Sequence, residues 1–245
     1  MFKRLKGLMF HRVFVALVTL ALVVLTGCPS LSTMQTPATV PKGAVRFGIG
    51  LEGVGYSQKD SAGATSTVAA PQFELNARYG VTDDIDIGGK LYLIGGEIGG
   101  KYQFAKGTFE AAVAPAVSYI SVSLDSGGSG GSGDSTSFSV AYLHLPLLLG
   151  YKVTDSLELA FGPKALYAIA TGSASDSTNQ SSVTSSGFMA GGFGSIQLKI
   201  GKAFWLAPEV NAYKPFTKGA TGVIWQGGLA LLFGGPPSAA MASPM

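Results

Sequence analysis

Few side chains in this 245-residue chain could do chemistry. It has one cysteine, Cys28, and two histidines, of which only His144 lies beyond the apolar N-terminal segment. Cys28 is the only side chain in its region that can take a thioether-linked diacylglycerol. A single cysteine excludes an intramolecular disulfide, although an exported chain would be allowed one. His144 stands in Tyr142-Leu143-His144-Leu145-Pro146 without a His-Glu-x-x-His motif, a Walker-type loop or a Cys/His cluster around it. It reads as an inward strand histidine bonded to a neighbour. The chain is therefore expected to be no enzyme, with no catalytic residue, metal or cofactor.

What precedes Cys28 gives the thiol its meaning. Lys3, Arg4, Lys6 and Arg12 make a basic start, and no acid occurs before Glu52. Val13 to Leu25 is an almost unbroken apolar run, shorter than the about 20 residues of a spanning helix and of the length of a signal-peptide core. It ends in Leu25-Thr26-Gly27-Cys28, which resembles the bacterial lipobox. That resemblance implies a lipoprotein signal peptide over 1–27, cleavage before Cys28, and acylation (palmitate among the acids) of the new N-terminus. Two or three chains anchor firmly, whereas one binds marginally. Pro29 follows where many inner-membrane lipoproteins carry Asp, which favours the outer membrane.

The signal takes four of the 17 basic residues and none of the 14 acids, leaving a formal charge of −1 on 28–245. Basicity belongs to the signal, so a nucleic-acid partner loses its support. Charged residues make up about 12% of the remainder, about half the share in soluble domains. No other stretch is long and apolar enough for a spanning helix. A membrane barrel explains both features, since each strand shows only half its residues to lipid.

Residues 28–42, rich in Ser, Thr and Pro, read as a lipidated tether ahead of a barrel over 43–234, with a disordered tail over 235–245. Alternation is clearest at Gln72-Phe73-Glu74-Leu75-Asn76-Ala77-Arg78-Tyr79, where every second residue is apolar, a period of two. Ten strands are expected, at about 44–56, 68–80, 85–94, 97–105, 108–122, 137–152, 157–171, 186–200, 203–214 and 222–233. Eight remain possible if one pair is misread. Tight turns alternate with longer, Gly- or Ser-rich connections, among them 123–136 and 172–185, read as mobile solvated loops. The short 95–96 connection breaks the alternation. With a periplasmic N-terminus every tight turn is periplasmic, as in outer-membrane barrels.

Tyr79-Gly80-Val81-Thr82-Asp83-Asp84 recurs as Tyr151-Lys152-Val153-Thr154-Asp155-Ser156, each followed by an apolar–acid–apolar restart. The Thr and Asp side chains can bond turn backbone, and the aromatic suits a membrane interface. In these turns, and in Gly228-Leu229-Ala230-Leu231-Leu232-Phe233, the chain resembles the small bacterial outer-membrane β-barrel proteins of the porin-like superfamily. The resemblance implies an all-β, closed, antiparallel up-and-down barrel. It also implies the lipid bilayer and the barrel-insertion and lipoprotein-processing machineries as partners. Twelve residues follow Phe233, where the family's signal usually ends the chain, and a lipobox is uncommon on such barrels.

Alternation alone does not tell a lipid-facing barrel from a soluble one. A soluble barrel needs a charged exterior that this chain lacks. Val45/Phe47/Ile49/Leu51, Leu143/Leu145/Leu147/Leu149 and Val223/Trp225/Gly227/Leu229/Leu231/Phe233 then face lipid, with Tyr79, Tyr102, Phe104, Tyr151, Phe204 and Trp205 as girdle aromatics. The opposite phase lines the lumen with Arg46, Glu52, Glu74, Arg78, Asp86, Lys90, Glu97, Lys101, Glu110, Glu158, Lys164, Lys199 and Glu209. Six bases against seven acids in a narrow lumen point to an internal ion-pair network, because unpaired charges there would be costly. The expectation is an outer-membrane barrel lipoprotein with a mostly filled lumen and a structural or interaction role. A narrow porin-like channel for small solutes and a periplasmic, lipocalin-like carrier of an apolar ligand are the alternatives.

Overall fold

Successive side chains of an extended strand point to opposite faces, and the structure, a computed structural model, is built from such strands. It describes residues 30–59, 65–126, 134–175, 180–201, 204–216 and 222–234. The signal segment, Cys28, the Gly/Ser run at 127–133 and the tail from 235 lie outside the described residues. The strands are β1 (Val45–Lys59), β2 (Thr65–Gly80), β3 (Ile85–Tyr92), β4 (Gly95–Ala105), β5 (Phe109–Val113), β6 (Ala116–Ser126), β7 (Asp134–Thr154), β8 (Leu157–Ser175), β9 (Gln180–Ile200), β10 (Phe204–Pro215) and β11 (Val223–Phe233).

Every ladder is antiparallel, and β1 pairs with both β2 and β11, so the sheet closes on itself. β5 and β6 both lie between β4 and β7. They are two halves of one wall strand, interrupted at Ala114-Pro115, where proline removes a ladder donor. The wall therefore has ten positions. Following paired residues from Arg46 through Arg78, Gly88, Gly99, Ala116, His144, Leu166 and Met189 leads to Pro215. Continuing the last two registers returns to Gln58, twelve residues beyond the start (58 less 46). A stagger of that size across ten strands tilts them by about 40°, so each residue climbs about 2.5 Å along the axis.

The outward phase is apolar. Phe47, Leu51, Leu91, Ile98, Leu143, Leu145 and Val210 are all half or more exposed. This band runs for about ten residues of each strand, or about 25 Å of axis, the height of a barrel's lipid-facing belt. A soluble carrier would need the reverse arrangement. Trp205 departs from the expected girdle: it is buried against Met34, Ala207, Ala230 and Leu232. Phe204 takes the outward position, and its strand neighbour must point the other way.

The tight-turn end matches expectation, whereas the other end rises higher. β7, β8 and β9 run on through Ser/Thr-rich sequence read as loop, with cross-strand bonds such as Ser137 Oγ···Ser173 Oγ (2.7 Å). One connection stays low: β3 and β4 are joined through Leu93 and Ile94 alone, so this hairpin is the shortest part of the wall.

Candidate functional site

The lumen is occupied by the chain itself. Residues 30–40, expected as a tether, are buried inside the barrel. They enter at the tight-turn end, where Lys42 bridges to Gly80 and Gly43 N–H donates to the Gly80 carbonyl (2.8 Å). From there the segment rises through the lumen toward its own N-terminus.

A segment buried away from any ladder needs other partners for its backbone, and the charged wall supplies them. Val40 N–H donates to Asp86 Oδ2 (3.0 Å) and Thr39 N–H to Gln103 Oε1 (3.1 Å). Lys101 Nζ donates to the carbonyls of Ala38 (2.6 Å) and Thr36 (3.0 Å). The amides of Thr33 and Met34 converge on the two Glu209 oxygens at 2.5 and 2.6 Å. Met34 has φ +44°, in the left-handed region, and such a turn aims successive N–H groups at one anion. Higher up, Lys90 Nζ donates to the Ser32 carbonyl (2.6 Å) and Lys164 Nζ to that of Leu31 (2.7 Å). Leu31 N–H donates to Gln226 Oε1 (2.8 Å). Ser30 Oγ reaches Glu74 Oε2 (2.5 Å) and Glu52 Oε2 (3.1 Å).

This accounts for the balanced charges in a way the ion-pair expectation did not. A backbone offers donors and acceptors in equal measure, so a wall that binds one needs both signs. Ion pairing is present but partial. Asp86 pairs with Arg78 and with Lys101 (3.3 Å), Lys90 with Glu74 (3.6 Å) and Glu97 (4.0 Å). Glu110 pairs with Lys152 (2.6 Å). Arg46, Glu158 and Glu209 are buried, Arg46 directly across the β1–β2 ladder from Arg78. Lys199 is the correction: it has the inward phase but lies exposed at the tight-turn rim, over the Trp205 ring.

Several site residues carry no charge and escaped a reading based on charge: Gln103, Asn211, Tyr213 and Gln226. Asn211 Nδ2 steadies Glu209 (2.9 Å), and Tyr213 Oη donates to the Leu31 carbonyl (3.0 Å). Glu209, Asn211 and Tyr213 recur every second residue along β10, which is the signal that could have found the two uncharged ones.

The wall also leaves room. A Cβ on inward Gly50 or Gly228 would crowd Met34, and one on Gly150 would crowd Pro37. At Gly80 it would fall inside contact distance of the Val40 and Pro41 carbonyls, which are backbone atoms. Gly80→Ala is expected to shift the entry of the segment and destabilise the barrel by about 1–3 kcal/mol. The midpoint of urea unfolding in detergent micelles measures this, and an unchanged midpoint would show that the entry point is not fixed.

His144 is buried, with Nε2 2.7 Å from Ser118 Oγ. Glu97 approaches the same nitrogen, at 3.7 Å. A relay would place serine and acid on opposite ring nitrogens, so this trio is arranged as a wall contact. Among the described residues no group of three or more His, Cys, Asp or Glu could hold a metal ion.

No protein-family model and no curated protein matches the chain by sequence. Solved structures similar in fold include Ail, the attachment invasion locus protein of Yersinia pestis (10% identity, TM-score 0.34, covering 78% of this chain and 98% of Ail). The outer membrane protease OmpT from Escherichia coli is similar at 8% identity and TM-score 0.47, covering 82% of this chain and 98% of OmpT. The P. putida toluene transporter TodX is similar at 15% identity and TM-score 0.31, covering 79% and 71%. The closed wall, apolar exterior and polar interior give this chain the fold of a small outer-membrane β-barrel.

Proposed function

We propose that the protein is an outer-membrane β-barrel lipoprotein, anchored through acylated Cys28, whose lumen is closed by its own N-terminal segment. It serves a structural or interaction role at the cell envelope and is neither an enzyme nor an open channel. One observation carries this reading: wall side chains bind the backbone of residues 30–40 along its length. A solute path through this lumen would have to displace those bonds, and buried polar groups left unpaired are costly.

Fractionation and planar-bilayer recording test the proposal. The protein is expected in the outer membrane, with heat-modifiable gel mobility and no discrete conductance steps. Reproducible single-channel steps from the intact protein would replace this reading with that of a narrow channel, and recovery in the soluble periplasmic fraction would remove the barrel.

A further inference from the structure

The lipid face is not evenly filled. In the tight-turn half of β2 and β3 the outward residues are large except at one ladder pair, Ala77↔Gly89, which presents a methyl group and a hydrogen. Phe47, Leu75, Leu91 and Ile98 rise around this pair, and each is exposed. The result is a groove of about 720 Å³, within the about 300–1,000 Å³ of sites that hold small molecules. A Cβ on Gly89 would lie 2.7 Å from the Glu97 carbonyl oxygen, so the wall itself keeps the floor low. The groove starts beside Tyr79, which pairs with Ile87, and runs up β3 to Leu91. From Ile87 to Leu91 the strand climbs about 10 Å at the tilt found here, close to the about 12 Å of one leaflet in a belt about 25 Å tall.

The foot of the groove carries charge of both signs. Lys42 bridges to Gly80, next to Tyr79. Thr39 Oγ1 donates to the Asp83 carbonyl (2.6 Å), so the strap that ends in Lys42 and the turn that holds Asp83 meet at the base of β2. The neighbouring Asp84 is paired with Lys106. Lys42 and Asp83 are both exposed, and neither has an ion-pair partner among the described residues. Tyr79, half exposed beside them, has the place of an interfacial aromatic.

We propose that this groove binds one zwitterionic phospholipid of the phosphatidylethanolamine class, from the leaflet at the tight-turn end. One acyl chain lies over Ala77 and Gly89, Lys42 meets the phosphate, and Asp83 meets the ammonium. A headgroup with both signs matches a foot with both signs, whereas a purely anionic headgroup would meet Asp83 as a like charge. A second copy of the barrel is the poorer occupant. Its wall is convex and would rest on Phe47, Leu91 and Ile98 without reaching the floor. An acyl chain is thin enough to fill the groove and has no polar group to strand there.

The test uses the full-length protein, folded in detergent and stripped of lipid, with phosphatidylethanolamine and phosphatidylglycerol of matched acyl chains. Native mass spectrometry reads the lipid bound at each concentration. Three variants accompany the parent: Ala77→Phe, Lys42→Gln and Asp83→Asn. All three positions face lipid or water, and heat-modifiable gel mobility shows first that each variant keeps its barrel. The parent is expected to hold one phosphatidylethanolamine about fivefold more tightly than phosphatidylglycerol, the worth of one exposed ion pair. Ala77→Phe fills the groove and should lose both lipids. Lys42→Gln should weaken both, and Asp83→Asn should abolish the preference between them. Equal binding of the two lipids by the parent, or a folded Ala77→Phe variant that binds like the parent, overturns the proposal. A dimer of the stripped parent that Ala77→Phe abolishes overturns it in favour of a second copy.

Discussion

A barrel lacking residues 31–40, with Ser30 joined to Pro41, is expected to conduct ions in planar bilayers where the intact protein is silent. A ten-strand wall tilted by about 40° measures about 20 Å across between opposite backbones. Side chains from both sides leave a core about as wide as one extended chain. Residues 30–40 fill that width from the tight-turn rim to the level of Glu52. Without them the lower lumen is lined by Lys101, Lys90, Lys164 and Glu209, each of which loses its backbone partner. Groups of that kind do not collapse together and draw in water. The deletion should also lower the temperature at which gel mobility changes, since the wall loses hydrogen bonds to charged groups worth about 1.5–3 kcal/mol each. A folded, heat-modifiable deletion that stays silent would show that something other than this segment closes the lumen.

How much of this was legible beforehand differs between wall and plug. The wall follows from local pattern: period two decides which residues share a face, and the shortage of charge decides which face meets lipid. The same logic explains its errors. Phe204 and Trp205 cannot both be outward because they are adjacent, and Lys199 has the right phase but lies beyond the rim. Phase gives direction and says nothing of height. Ser/Thr-rich composition points to loop, but hydroxyls that pair across strands carry β7, β8 and β9 onward through it.

The plug was not legible because it has no period and no ladder. Its partners come from β1, β2, β3, β4, β8, β10 and β11, and a closed barrel brings them together only after it forms. A signal was present in the composition. Residues 29–41 hold no charged residue, while Leu31, Met34 and Val40 are apolar. A solvated tether would carry charge and few such side chains.

Glu209→Gln is expected to loosen the plug more than any other substitution of one or two atoms. The carboxylate accepts from Thr33 N–H, Met34 N–H and Asn211 Nδ2 at 2.5–2.9 Å, and it is buried. A glutamine keeps one oxygen and turns an NH2 group toward a backbone N–H, so at least one buried donor loses its acceptor. Bonds to a charged acceptor are about twice as strong as neutral ones, and a buried group left unpaired costs about 1–3 kcal/mol. The loss should be about 2–4 kcal/mol in urea unfolding and should hardly change with salt. Lys106→Ala is the counterpart. Its ammonium is 2.5 Å from Asp84, closer than the Lys101–Asp86 and Lys90–Glu74 pairs of the lumen, but both side chains are about half exposed. Exposed pairs contribute about 0–1 kcal/mol and are screened, so this variant should unfold almost as the parent does. If the two substitutions cost the same, the Glu209 contacts would be ordinary surface-strength bonds, and the lumen would have to be wet enough to replace them. In bilayers Glu209→Gln should also give brief, irregular openings, because that carboxylate accepts the Met34 N–H at the left-handed kink. Openings without any loss of stability would separate gating from folding and place the restraint elsewhere along residues 30–40.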